Sequence, residues 1–150
     1  METKDNTLAE EEFHRAGEAL ATDNTLAALA SLEKALKQHD NPAWYSFLGY
    51  CVAKERGQIK KGAGLCQVSL NHEQDNPVHY LNLGKIYLLA GNKTLALRLF
   101  REGLAKGQHE ELQRKLHEVG IRKKPIVSLL ARSNLINKYL GLLYKRLHWR

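Results

Sequence analysis

Apolar side chains recur at three- and four-residue spacing along most of the chain, in blocks separated by short polar turns. No convincing two-residue alternation breaks this rhythm, so the pattern predicts helices and no sheet. The blocks pair as 9 to 21 with 25 to 38, 42 to 56 with 58 to 71, and 77 to 90 with 93 to 106. Between the members of each pair stand "TDN" at Thr22–Asn24, "RGQ" at Arg56–Gln58 and "GN" at Gly91 and Asn92, the breakers expected between antiparallel helices. Residues 1–8 read as a flexible acidic amino terminus. A charged helix is expected over 109–120, ended by Gly120. After the basic linker "IRKKP", Ile136, Tyr139, Leu140, Leu143 and Leu147 form one more apolar stripe at helical spacing.

Two phrases, "DNPAWYSFLGY" and "DNPVHYLNLGK", begin 35 residues apart. Each sets Asp and Asn before a proline, where a helix start wants a side-chain acceptor and tolerates proline in its first turn. A fixed period of this length in a helical sequence indicates stacked repeats, here 9–41, 42–76 and 77–108. Within "YLNLGKIYLLAGNKTLALRLF", Gly84 interrupts a helix at a cost of about 1 kcal/mol relative to alanine. Some close approach must compensate for it.

The third unit resembles a tetratricopeptide repeat (TPR), with Tyr80, Leu83 and Gly84, Tyr87, Ala96, Phe100 and Gly103 in the family's order and spacing. The second matches with Trp44 or Tyr45, Leu48 and Gly49, then Gly62, Cys66 and Ser69. Gly62 and Gly64 inside its second helix argue for local distortion there. The first unit is degenerate, with Ala16 and Ala19 in place of the glycine and tyrosine, then Ala28, Leu32 and Ala35. The resemblance implies an all-α, right-handed superhelix of about three antiparallel helix pairs, extended by carboxyl-terminal capping or amphipathic helices. It makes Gly84 and Ala96 the small residues at a helix crossing. It also implies a concave groove lined by the first helix of each pair. By this alignment the groove positions are Phe13, His14 and Gly17, then Ser46, Phe47, Tyr50 and Lys54, then Leu81, Asn82, Lys85 and Leu88. One subgroup of the family grips the carboxylate end of chaperone tails with lysine, arginine and asparagine at such places. Only Asn82 corresponds here, so an apolar segment, such as an amphipathic helix, is the expected occupant.

Charge adds a polarity to this picture. Residues 1–40 hold 9 acids and 4 bases, net −5, whereas residues 104–150 hold 3 acids and 11 bases, net +8, within an overall +7. Arg122, Lys123, Lys124, Lys138, Lys145 and Arg146 make a basic patch around the last apolar stripe. Three fates compete for that segment. It can cap its own repeats, dock through residues 125–147 on a second copy or another protein, or lie on an anionic membrane surface. Aromatic residues do not interleave with the basic run, and no DNA- or RNA-reading motif occurs, which argues against a nucleic-acid partner.

Candidate chemistry is sparse. The seven histidines form no H-E-x-x-H motif and join no cysteine at metal-ligand spacing, so no metal or cofactor is expected. No nucleophile elbow or phosphate-binding loop is present, and no enzymatic activity is expected. Cys51 and Cys66 read as reduced thiols acting as small apolar side chains. No leader pattern and no long apolar run occurs, and the expectation is a cytoplasmic protein that can also sit peripherally on a membrane. The leading functional expectation is a protein–protein interaction scaffold or adaptor, binding a protein or peptide segment in the groove. The rival is a membrane- or nucleic-acid-associated factor acting through 121–150.

Overall fold

The computed structural model describes residues 2–121, with side chains from Asn6 onward. The helices are α1 (Glu2–Ala21), α2 (Thr25–Gln38), α3 (Tyr45–Arg56), α4 (Ile59–His72), α5 (Pro77–Leu89), α6 (Lys93–Lys106) and α7 (Glu110–Gly120), with a 3-10 turn at Pro42–Trp44 leading into α3. No strand occurs among the described residues. Helices α1 and α2, α3 and α4, and α5 and α6 pack as pairs; α3 bears on α5, and α7 adds to α6. This is an all-α, TPR-like superhelix. The capping stripe and basic patch expected beyond Ile121 lie outside the described residues.

Residues 2–8, expected as part of a flexible tail, are helical, because α1 already begins at Glu2. No glycine or proline precedes Gly17 in the chain. Once a helix is nucleated, each added residue gains a hydrogen bond, so the helix grows back through such a segment.

The turns repeat with nearly the same backbone. Asp23 (φ 57°), Gly57 (φ 66°) and Gly91 (φ 76°) each take the left-handed conformation after a first helix, 34 residues apart. Each is followed by an N-cap in matching geometry: Asn24 at φ −86°, ψ 69°, Gln58 at −85°, 68°, and Asn92 at −89°, 73°. The Asn24 and Asn92 side chains accept from the Ala27 and Leu95 N–H groups. Gln58 makes no such bond. Asn41 and Asn76 open the first helices of the later pairs, accepting from Ala43 and Val78 N–H ahead of Pro42 and Pro77.

Close crossings explain the interior glycines. A Cβ on Gly84 would overlap the Phe100 ring, lying 2.7 Å from Cδ1 and 3.1 Å from Cζ. One on Gly62 would strike the Gly49 carbonyl and stand 3.0 Å from the Ala53 Cβ. Helix α4 is therefore continuous rather than distorted, because Gly62 lets α3 and α4 meet backbone to backbone. Gly64 faces open space. Around these crossings Leu32, Ile86, Phe100 and Leu112 are fully buried, and each such side chain contributes about 1.5–3 kcal/mol. Cys51 and Cys66 are also buried, and burial pushes the Cys51 thiol up to about 12 and the Cys66 thiol higher still.

Candidate functional site

The first helices and α7 together line a groove with two adjoining recesses. One, of about 220 Å³, is walled by Gly17, Leu20 and Ala21 of α1, Phe47 and Tyr50 of α3, and Val78, Leu81, Asn82 and Lys85 of α5, with His109 and Glu111 at the far side. The other, of about 360 Å³, shares Leu20, Ala21, Tyr50, Lys85 and Glu111 and adds Asp23, Leu88, Leu89, Arg114 and Lys115. The shared residues make the two recesses one continuous surface, lined by apolar and charged side chains together.

Tyr50 stands where they meet, half-buried, and two lysines flank its ring. The Lys85 ammonium lies 5.1 Å from the ring centroid and that of Lys54 lies 5.9 Å away, within cation–π range. Each is also held by an acid from a different element: Lys54 pairs with Asp23 at 2.7 Å, and Lys85 with Glu111 at 2.5 Å. Hydrogen bonding to Lys54 lowers the Asp23 carboxyl below its ordinary value, and the same bond raises the Lys54 ammonium. Burial raises the Tyr50 phenol, keeping it protonated at neutral pH.

Beside the groove runs a chain of polar groups, partly exposed at Glu73 and Asn76 and buried at His79, Ser46, Asn82 and Ser69. Asn76 Nδ2 donates to Glu73 Oε2 at 2.7 Å, and this contact first, then His79, holds the Glu73 carboxyl below its usual range. Being ionised, Glu73 can only accept, so His79 donates to it from Nε2 at 2.9 Å. Burial outweighs that carboxylate and lowers the His79 imidazole below its usual basicity, leaving the ring neutral with Nδ1 as an acceptor. The Ser46 hydroxyl therefore donates to Nδ1 at 2.7 Å, and its oxygen accepts from Asn82 Nδ2 at 3.1 Å. Ser46 N–H donates to Ser69 Oγ at 2.8 Å, which in turn donates to the Pro42 carbonyl at 2.7 Å. A serine, a histidine and a glutamate in series have the connectivity of a hydrolytic relay. Ser46 is fully buried, however, and shares its oxygen with Asn82, so no substrate can reach it. The series ties the second repeat to the third.

Of the sequence-predicted positions, Phe47, Tyr50, Leu81, Asn82 and Lys85 converge on the smaller recess with Gly17, and Leu88 lines the larger one. Lys54 sits beside Tyr50 on the rim. Ser46 departs from its assigned place, since it faces the polar core and not the groove. Phe13 is drawn into packing as well: its ring stacks on Trp44 at 4.6 Å and meets Phe47 edge-on at 5.2 Å. His14 is solvated beside Glu18 at 3.4 Å and lines neither recess. Arg122, Lys123, Lys124, Lys138, Lys145 and Arg146 lie outside the described residues. The alignment anticipated α7 as a charged helix but gave the groove no residue from it, although Glu111, Arg114 and Lys115 stand three and four residues apart and so share one helix face.

A larger recess of about 470 Å³ opens between α4 and α6, with Tyr80, Leu83 and Tyr87 at its floor. Its polar groups are engaged with neighbours, in Gln67–Asn71, Arg98–Glu102 and Lys106–Asp75, and its floor belongs to the core shared by the second and third pairs. Among the described residues no cluster of histidine, cysteine, aspartate or glutamate is arranged to hold a metal ion, and no helix is long and apolar enough to cross a membrane.

The fold these elements define is that of a TPR domain. The chain superimposes on the crystal structure of the Sgt2 TPR domain from Aspergillus fumigatus with a TM-score of 0.58 at 15% sequence identity, covering 83% of this chain and 91% of that one. No family model matches the sequence, and no curated protein matches it.

Proposed function

We propose that this chain is a protein-interaction module whose groove between α1, α3, α5 and α7 receives a segment of a partner protein. The observation that carries the reading is the continuity of the two recesses through Leu20, Ala21, Tyr50, Lys85 and Glu111. Stacked helical repeats use this concave face for binding, and the fold is consistent with such use. The partner supplies apolar side chains, as an amphipathic helix presents at i, i+3, i+4 and i+7, while the rim pairs Lys54–Asp23 and Lys85–Glu111 border the contact.

The test compares partner capture by the intact chain with capture by the Tyr50→Ala, Lys85→Ala double variant, after circular dichroism has established that both are folded. The double variant is expected to lose the partner. Undiminished capture would refute the groove assignment. Capture that instead falls steeply with rising salt would point to phosphate contacts through the basic carboxyl segment.

A further inference from the structure

We propose that the recess beneath Tyr50 receives the indole ring of a partner tryptophan, its N–H donating to Asn82 Oδ1. The proposal rests on the reading of the groove as the partner-binding surface and specifies what that partner must present. Asn82 is only 3% exposed and lines the recess. Its orientation is dictated from below: the hydrogen of the underlying serine hydroxyl is committed to the buried imidazole, so the oxygen can only accept and meets Asn82 through Nδ2. The carbonyl oxygen of Asn82 is thereby left over. It has no hydrogen-bond partner among the described residues. Every fully buried side-chain oxygen or nitrogen there does have one, so Oδ1 is the atom through which Asn82 opens on the recess.

A ligand covering this oxygen without offering a hydrogen strands a buried acceptor, which costs more than the bond itself is worth. Backbone donors of a helical partner are consumed within its own turns, so the hydrogen must come from a side chain. The one carboxylate in the recess, Glu111, is already paired with Lys85 at 2.5 Å, so the site holds no free anion for a cationic donor. The walls include Leu20, Phe47 and Val78, which call for an apolar body. Tryptophan combines a large apolar ring with a single N–H that donates and never accepts.

Nuclear magnetic resonance titrations of the full chain with indole, benzothiophene and p-cresol test this without altering the packed network. Benzothiophene keeps the bicyclic outline but has sulfur in place of the N–H and is the more hydrophobic of the two. Indole is expected to shift the Asn82 side-chain amide and the Tyr50 resonances, and to bind about tenfold more tightly than benzothiophene. Equal or tighter binding of benzothiophene would leave the groove an apolar binder and overturn the directed acceptor. Tighter binding of p-cresol would assign the recess to a hydroxyl and overturn the choice of tryptophan. No response of these resonances to any probe would overturn the indole site, whereas the groove reading stands or falls separately on partner capture by the Tyr50→Ala, Lys85→Ala variant.

Discussion

Gly84 is the residue whose replacement separates packing from propensity most cleanly. On an open helix face, Gly→Ala stabilises by about 0.5–1 kcal/mol through propensity and a less disordered unfolded chain. At Gly84 the new methyl would fall into the Phe100 ring, overlapping Cε1 and approaching Cδ1 at 2.7 Å. That ring is fully buried and packed with Leu81, Ala96 and Leu112, so it has no space into which to swing. Overpacking of this kind costs about 1–3 kcal/mol, and the confined ring puts Gly84→Ala in the upper half of that range. After the propensity gain, a net loss of about 1–2.5 kcal/mol remains. Gly64→Ala, on α4 with nothing within 4 Å of the added carbon, is the control and should gain about 0.5–1 kcal/mol. Urea denaturation followed by circular dichroism should move the two midpoints in opposite directions at unchanged slope. Gly84→Leu should unfold the third pair. Equal stabilisation by the two alanines would refute the close-crossing account.

Three further outcomes follow from the geometry. Gln58 has the cap backbone of Asn24 and Asn92 without their side-chain bond, so Gln58→Asn should add about 0.5–1 kcal/mol in thermal denaturation; an unchanged melting temperature would count against the equivalence of the turns. Burial lowers His79 in the folded state, so the unfolded chain takes up the proton first as pH falls below 6.5, and stability should decline from there. A second decline should begin below 4.5, where Glu73, held down by Asn76 and His79, starts to protonate in the unfolded chain; urea midpoints across pH for the native chain and His79→Gln measure both, and the variant should lack the first. Phe13→Ala should cost about 2 kcal/mol and alter the near-ultraviolet dichroism of Trp44, on which Phe13 stacks; an unaltered spectrum would contradict the stacked pair.

The repeat architecture was legible because packing imposes a period: Ala28, Gly62 and Ala96 recur every 34 residues, as do Leu32, Cys66 and Phe100. The groove was legible where a residue type announces its surroundings, as with Tyr50 and Lys85. Ser46 was not, because a small polar residue on a first helix suits either a wet groove or a satisfied core. What decides between them is His79, 33 residues away, together with Asn82 and Ser69. No periodicity encodes such a junction, since each member is used once and hydrogen-bond direction leaves no trace in hydropathy. Helix α7 was left out of the groove for a related reason: its charged face resembles a solvated one until Lys85 reaches across to Glu111.

The buried cysteines carry a practical consequence. Cys51 and Cys66 are shielded from solvent, and burial suppresses their thiolates, so alkylating reagents can reach them only when the surrounding helices open. The two sulfurs thus act as built-in clocks for opening of the second repeat. A cysteine placed on an exposed face would react long before either of them, allowing a single fluorophore or spin label to be attached with both native thiols left in place.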